Sequence, residues 1–258
     1  MSDSRPQKRQ FVSYSFFHVA PEWRRLPEGE RQAQKNELIA AINVFDPTMM
    51  IRTYSTMGMR GDVDFLLWKV SPRLESHHEL ASLIAGTAFG GYLTVPHNYL
   101  AMTRRSVYVI NHQHEGQEGT RLTVNPAGAK YFFVYPFVKT AAWYQLPFAE
   151  RQLLMDEHIK VGHEFPSVRI NTSYSFGIDD QEFVVAFESD EPADFLDLVM
   201  KLRESAQRPY TERDTPIFTC IAMPFKGVLD ALDGFSARFG NEDGIEPASV
   251  LGPATVNE

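Results

Sequence analysis

A single cysteine, Cys220, is all that this chain of 258 residues carries. An internal disulfide is therefore excluded, as is any cysteine-built zinc or iron–sulfur centre, and the count fits a reducing compartment. The plainest reading of Cys220 itself is a core thiol at a strand end. A surplus of positive charge is also missing. The formal net charge is −8, the opposite of the cationic surface that a phosphate backbone demands, so nucleic-acid binding is not expected. No stretch approaches the ~20 apolar residues of a membrane span, and the opening MSDSRPQKRQ has no apolar leader core. A cytoplasmic location without a membrane span is expected. Metal-binding HExxH pairs, glycine-rich phosphate loops, GxSxG elbows and CxxC pairs are absent as well, which removes the commonest hydrolase and kinase readings. What is present is 43% hydrophobic, 22% charged and 12% aromatic, an ordinary globular composition with ample core.

The hydrophobic pattern repeats. Strand-like 10–19, a charged amphipathic helix at 28–43, strands at 49–56 and 63–70, a helix at 75–89 and a further element near 100–110 make the first half. The second half runs strand 130–138, helix 147–164, strands 167–176 and 181–188, helix 192–206 and strand 214–222. The order is β-α-β-β-α-β twice, an α+β chain of two ferredoxin-like halves. Arg52 with the turn from Gly58 to Phe65 matches Arg169 with Ser175 to Phe183 at an offset of about 118 residues. Two helices can cover only one face of each four-stranded sheet, so the other face needs a partner sheet or a ligand. A sandwich or α+β barrel of the two halves is the expected outcome. The expected divisions are 1–110, a polar glycine-rich connection at 111–128 that is either a linker or a flap, 129–226, and a tail at 227–258 in which Val228 to Phe239 forms one helix and Gly240 to Glu258 is acidic.

Chemistry concentrates between Tyr131 and Asp180. On the helix at 147–164, Leu154, His158, Val161 and Phe165 share a stripe that turns an imidazole toward the sheet. Taken alone, such a histidine is more often a hydrogen-bonded core residue than a ligand. On the preceding strand, alternation puts Tyr131, Phe133, Tyr135, Phe137 and Lys139 on one side. A buried phenol and ammonium both need polar partners, and an anionic ligand carboxylate would satisfy the lysine; a solvated Lys139 at the strand end is the alternative. On helix 192–206, Phe195, Val199, Leu202 and Ala206 form the core stripe, with Arg203 and Gln207 beside it. Arg203 also reads as a cation favourably placed at a helix C-terminus.

The stretch KYFFVYPFVKTAAWYQLPFAERQLLMDEHIKVGHEFPSVRINTSYSFGIDDQEFVVAFE, followed by LVMKLRES and RDTPIFT, resembles the chlorite dismutase-like haem protein superfamily, and within it the coproheme decarboxylases. The resemblance is dense over about 130 to 225 and covers the first half through element order alone. It implies a doubled ferredoxin-like barrel, a homopentamer, and an iron porphyrin, Fe-coproporphyrin III or haem b, in the C-terminal half. It further implies His158 as the axial iron ligand, Tyr135 as the residue whose radical starts propionate decarboxylation, and Trp143 as a haem-proximal tryptophan. Lys139, Arg203 and Arg121 would hold propionates.

Departures narrow the chemistry. Counting back from Gly177, the position at which chlorite-degrading members carry a distal arginine is Ile170, and Arg169 should face the other way. Where those members set a glutamate behind the proximal imidazole, this chain has Gln207. The distal base of related decarboxylases, a histidine, falls on Glu118 here, with His112 and His114 nearby in the same loop. The expected function is peroxide-dependent decarboxylation of coproheme to haem b, with coproheme and hydrogen peroxide as its small-molecule partners. A chlorite-degrading or peroxidase-type haem enzyme and a non-catalytic haem carrier are the alternatives.

Overall fold

The computed structural model describes residues 9–108 and 122–235. In chain order these form β1 (Phe11–Val19), α1 (Glu28–Asn43), β2 (Met50–Ser55), β3 (Phe65–Ser71), α2 (Leu74–Ala85), β4 (Leu93–Met102), β5 (Tyr131–Lys139), α3 (Ala141–Gln145), α4 (Phe148–His163), β6 (Arg169–Tyr174), β7 (Phe183–Ser189), α5 (Pro192–Arg203), β8 (Thr211–Arg213), β9 (Phe218–Ala222) and α6 (Phe225–Ala231). The chain divides into two compact units. One comprises Ala101 to Phe218; the other comprises Gln10 to Leu100 with the residues from Thr219 onward.

Each unit is an antiparallel sheet with its long helices on one face, the α+β arrangement anticipated from the doubled pattern. In the first unit to be made, the strand order is β4-β1-β3-β2, with β9 added beside β2. In the other it is β8-β5-β7-β6, with the last residue of β4 pairing onto β6 through Met102 and Tyr174. The local signals recur too. Both α1 and α4 start directly after a Leu-Pro pair, with Pro27 and Pro147 at the N-cap, where a fixed φ and a missing N–H cost nothing. Acidic residues Glu28 and Glu30, and in the second copy Glu150, sit in the first turn, where they favour the helix dipole. The hairpins after β2 and β6 both turn on a glycine of positive φ, Gly58 and Gly177, a conformation that a side chain would strain.

The register sharpens the repeat. Ser13 opposes Lys69 in the first unit as Phe133 opposes Phe187 in the second, and Arg52 opposes Trp68 as Asn171 opposes Ala186. The counterpart of Arg52 is therefore Asn171 rather than Arg169, because the strand alignment is set by the ladder and not by the charge. The expected element near 100–110 is β4, which begins earlier, at Leu93. The expected strand at 214–222 is split into β8 and β9, and the compact unit ends at Phe218 where the sequence reading drew its boundary at 226.

The core of the N-terminal unit is closed. Trp23, Leu38, Ile42, Phe65, Leu80 and Phe89 pack with Val228, Leu229 and Leu232 from α6 and its end. Below them Lys35 Nζ pairs with Asp230 (3.2 Å) and Asp233 (2.9 Å), and Arg31 Nε with Asp233 (2.8 Å). The C-terminal unit has an aromatic core instead, with Phe133 and Phe195 rings 4.0 Å apart and Phe187 and Phe195 5.0 Å apart. Its helix α4 contributes Val161 to that core from partly buried positions, and none of its residues is fully buried. The stripe read from the sequence is real in Val161 and Phe165, yet α4 is not sealed against the sheet as α1 is.

Candidate functional site

The site is built on the C-terminal unit. Strand β5 projects Tyr135 to the same face as Phe133 and, across the ladder, Val185 and Phe187. Its last residue, Lys139, follows a register shift between Val138 and Lys139. The Lys139 backbone N–H donates to Glu182 Oε2 (2.7 Å), which also accepts from Tyr144 Oη (2.6 Å). Anchored there, the buried Lys139 ammonium lies 4.3 Å from the centre of the Trp143 ring and donates to Gln207 Oε1 at 2.9 Å. The other end of the same amide meets Nδ1 of His158. Lys139, Trp143, Gln207 and His158 thus form one connected polar cluster.

Electrostatics sets the protonation states. Burial, and then the Lys139 charge, pushes His158 down to about 4, so the ring is neutral at physiological pH, the form that ligates metals. Burial lowers Lys139 to about 8, with Glu182 drawing it back up and Arg208 pressing it down. It remains mostly protonated at neutral pH. The amide between them has one acceptor oxygen. With Oε1 on the Lys139 ammonium, its NH2 group faces Nδ1, which must accept, so the ring proton resides on Nε2. An imidazole that ligates through Nε2 needs its proton on Nδ1 and an acceptor beyond it. A half-turn of the Gln207 amide supplies that acceptor and takes the oxygen from Lys139.

A second cluster surrounds Tyr135. Its phenol is held in the protonated form by burial first and by Asp214 next, against the opposing pull of Arg203 and Arg208. Arg203 Nη1 pairs with Asp214 Oδ2, and Arg208 Nη1 reaches the same oxygen at 2.7 Å. Ile170 opposes Phe187 and so lies on the Tyr135 face, substantially exposed, while Arg169 opposes Glu188 on the reverse face. The position that would carry a distal cation is hence apolar.

The structure therefore brings together Lys139, Trp143, His158 and Gln207, and separately Tyr135 with Arg203. The Lys139 ammonium donates to Gln207 and lies over the Trp143 ring. His112, His114, Glu118 and Arg121 lie outside the described residues. Sequence reasoning missed Arg208, Asp214, Glu182 and Tyr144. The last two follow from the acidic start of β7 beside the short α3, and Arg208 and Asp214 meet only because a turn folds them back onto α5. Among the described residues no three His, Cys, Asp or Glu side chains converge as a cation cage. A desolvated neutral imidazole, backed by an amide and accompanied by a phenol and guanidinium groups, suits an iron that brings four ligands of its own, as a porphyrin does.

Residues 12–223 match the chlorite dismutase family model, and the chain belongs to that family. It is 29% identical over 217 residues to a coproheme decarboxylase from Mycolicibacterium smegmatis, covering 81% of this chain and 88% of that protein. It is 27% identical over 210 residues to a protein of Haloquadratum walsbyi whose name describes haem binding, covering 74% of this chain and 38% of the other. A mutant chlorite dismutase from Candidatus Nitrospira defluvii superposes with a TM-score of 0.79 at 21% identity, over 87% of this chain and 95% of that one, which supports the shared fold. No helix among the described residues is long and apolar enough to cross a membrane.

Proposed function

We propose that this protein is a coproheme decarboxylase, binding iron coproporphyrin III through His158 and using hydrogen peroxide to convert two propionates to vinyl groups, yielding haem b. The observation that carries this reading is the pairing of a neutral ligand-type imidazole with a buried, protonated phenol flanked by guanidinium groups. Each conversion takes a propionate and one peroxide to a vinyl, carbon dioxide and two waters, with one proton consumed. The bound iron porphyrin would supply the peroxide chemistry. The residues supply the rest.

His158 would hold the iron at Nε2 while Gln207, turned over, accepts from Nδ1–H. Tyr135, kept as a phenol by burial, would give up an electron and its Oη proton and then take a hydrogen atom from the propionate β-carbon. Arg203 would fix a carboxylate by a charge-assisted hydrogen bond, and Trp143 would wall the proximal side. Lys139, whose ammonium has donors beyond the one given to Gln207, remains a proposed propionate contact. Glu118, His112, His114 and Arg121 remain the proposed distal base and propionate contact from the loop. A cytoplasmic homopentamer belongs to the same reading. Ile170 disfavours chlorite chemistry, since an apolar side chain offers no donor for the oxyanion.

The test adds ferric coproporphyrin III to the apo protein, titrates peroxide, and follows tetrapyrrole mass. Two successive losses of carbon dioxide are expected. Binding without mass loss would favour a carrier. Tyr135→Phe should keep porphyrin affinity and lose turnover; full activity in that variant would remove the radical role.

A further inference from the structure

Two guanidinium groups share one carboxylate oxygen beside Tyr135, and this arrangement is not dictated by the fold. Asp214 Oδ2 receives Nη1 of both Arg203 and Arg208. Each guanidinium has five N–H donors, and the pair carries a net charge of about +1 after Asp214 is counted. Both arginine side chains are more than one-third exposed, whereas Asp214 is 13% exposed. The arginine side chains are thus accessible while the carboxylate they share is largely covered. In the other unit the matching positions are Ala85, Gly90 and Pro96, all uncharged. A surface ion pair by itself contributes little stability, so two cations on one acid are better explained by an anion that they await.

We propose that Asp214 is a built-in stand-in for a substrate carboxylate. It holds Arg203 and Arg208 in the ligand-free protein and cedes Arg208 to a porphyrin carboxylate seated beside Tyr135. This rests on the porphyrin reading of the site and adds a selection rule to it. While the substrate side chain is a carboxylate, it competes with Asp214 for the guanidinium. Once it has become a vinyl it has no charge to offer, and Asp214 reclaims Arg208. The exchange distinguishes a ring still carrying its acids from one that has lost them, and it favours departure of the finished product.

The test uses redox-inert zinc porphyrins and the full-length apo protein, so that no turnover intervenes. Affinities for zinc coproporphyrin III, with four carboxylates, and zinc protoporphyrin IX, with two, are measured by fluorescence titration across a range of salt. Arg208→Gln should weaken coproporphyrin binding about tenfold, the worth of one charge-assisted hydrogen bond, and change protoporphyrin binding less than about twofold. Asp214→Asn should do the reverse, tightening coproporphyrin several-fold with a steeper salt dependence. Thermal unfolding of each variant establishes that it is folded. If Asp214→Asn fails that check, Arg208→Gln and the salt dependence of the unaltered protein decide. Equal shifts for both porphyrins, or weaker coproporphyrin binding in Asp214→Asn, overturn the exchange. An unaltered protein that binds neither porphyrin overturns the site reading and the exchange together, whereas normal binding unmoved by either variant overturns the exchange alone.

Discussion

Where the C-terminal unit carries His158, the N-terminal unit carries Leu38, and the polar neighbours of the imidazole are replaced as well, with only the tryptophan kept. Lys139, Trp143 and Gln207 correspond to Val19, Trp23 and Phe89, all buried in one apolar cluster with the Trp23 and Phe89 rings 4.6 Å apart. The converse exchange occurs elsewhere in the same frame. Phe133, Phe187 and Phe195 stack in the C-terminal unit, and at their counterparts stand Ser13, Lys69 and His77. There Ser13 Oγ meets His77 Nδ1 at 2.8 Å, and Lys69 Nζ donates to Ser15 Oγ at 2.8 Å. One frame thus accommodates a polar cluster in either place. What differs is closure: α6 and the Lys35–Asp233 pair lock α1 down, while α4 keeps every residue at least partly open. A locked helix stabilises its half, and the unlocked helix is the one that bears the imidazole.

That contrast can be broken deliberately, and the largest effect should come from the lock. Lys35→Ala removes two buried charge-assisted hydrogen bonds, leaving Asp233 to Arg31 and Asp230 to Lys226, and we expect about 3–5 kcal/mol of lost stability in urea unfolding; its counterpart Met155→Ala, on the open helix, should cost about 1 kcal/mol or less. A smaller cost for Lys35→Ala than for Met155→Ala would refute the closure argument. Next, Leu38→Ala should cost about 2–5 kcal/mol and leave porphyrin affinity intact, while His158→Ala should cost little stability and weaken iron ligation.

Acid sensitivity comes third. His158 and His77 both have their pKa pushed down to about 4 by burial, so between pH 4 and 6.5 the unfolded chain binds protons that the folded chain refuses. Stability must then rise with pH through that window and be lost as pH falls toward 4. His158→Leu and His77→Leu should each flatten the slope by up to about 1.4 kcal/mol per pH unit, read by denaturant midpoints at several pH values. An unchanged slope in both would contradict the assigned protonation states.

The smallest expected effect is electronic. Gln207→Glu gives Lys139 and His158 an acceptor oxygen each, ending their competition for one. The iron potential should move downward, with about 60 mV corresponding to a tenfold change in relative affinity for the ferric form. An upward shift on spectroelectrochemistry would argue that Gln207 does not accept from Nδ1.

Much of the frame was legible in the residues. The Leu-Pro starts of α1 and α4, the glycine turns at Gly58 and Gly177 and the alternating strand of Tyr135 are local signals, and local signals survive folding. His158 could be placed on the sheet-facing stripe from helix periodicity, whereas Gln207 was set behind it only by the family resemblance, since it lies beyond the end of α5 at Arg203. Less visible was what depends on distant closure. Nothing in the sequence near α1 announces that α6, nearly two hundred residues later, will seal it. The half-open state of α4 is likewise a property of what does not pack there. The Arg203–Asp214–Arg208 group escaped notice because its members are joined by a turn rather than a period. Lys139 read as a strand-end cation for a ligand, and its engagement by Gln207 and Trp143 required the register shift at Val138 to be seen.

The claim on which the account turns is that the imidazole of His158 bonds the iron. The most direct measurement is the ligand-field and EPR spectrum of ferric coproporphyrin III in His158→Gly, with and without added imidazole, beside Leu38→Gly as the matched position in the other half. The expected result is loss of the histidine-type signature in His158→Gly, its return on adding free imidazole, and an unchanged spectrum in Leu38→Gly. A His158→Gly protein that retains the spectrum of the unaltered chain would contradict the assignment.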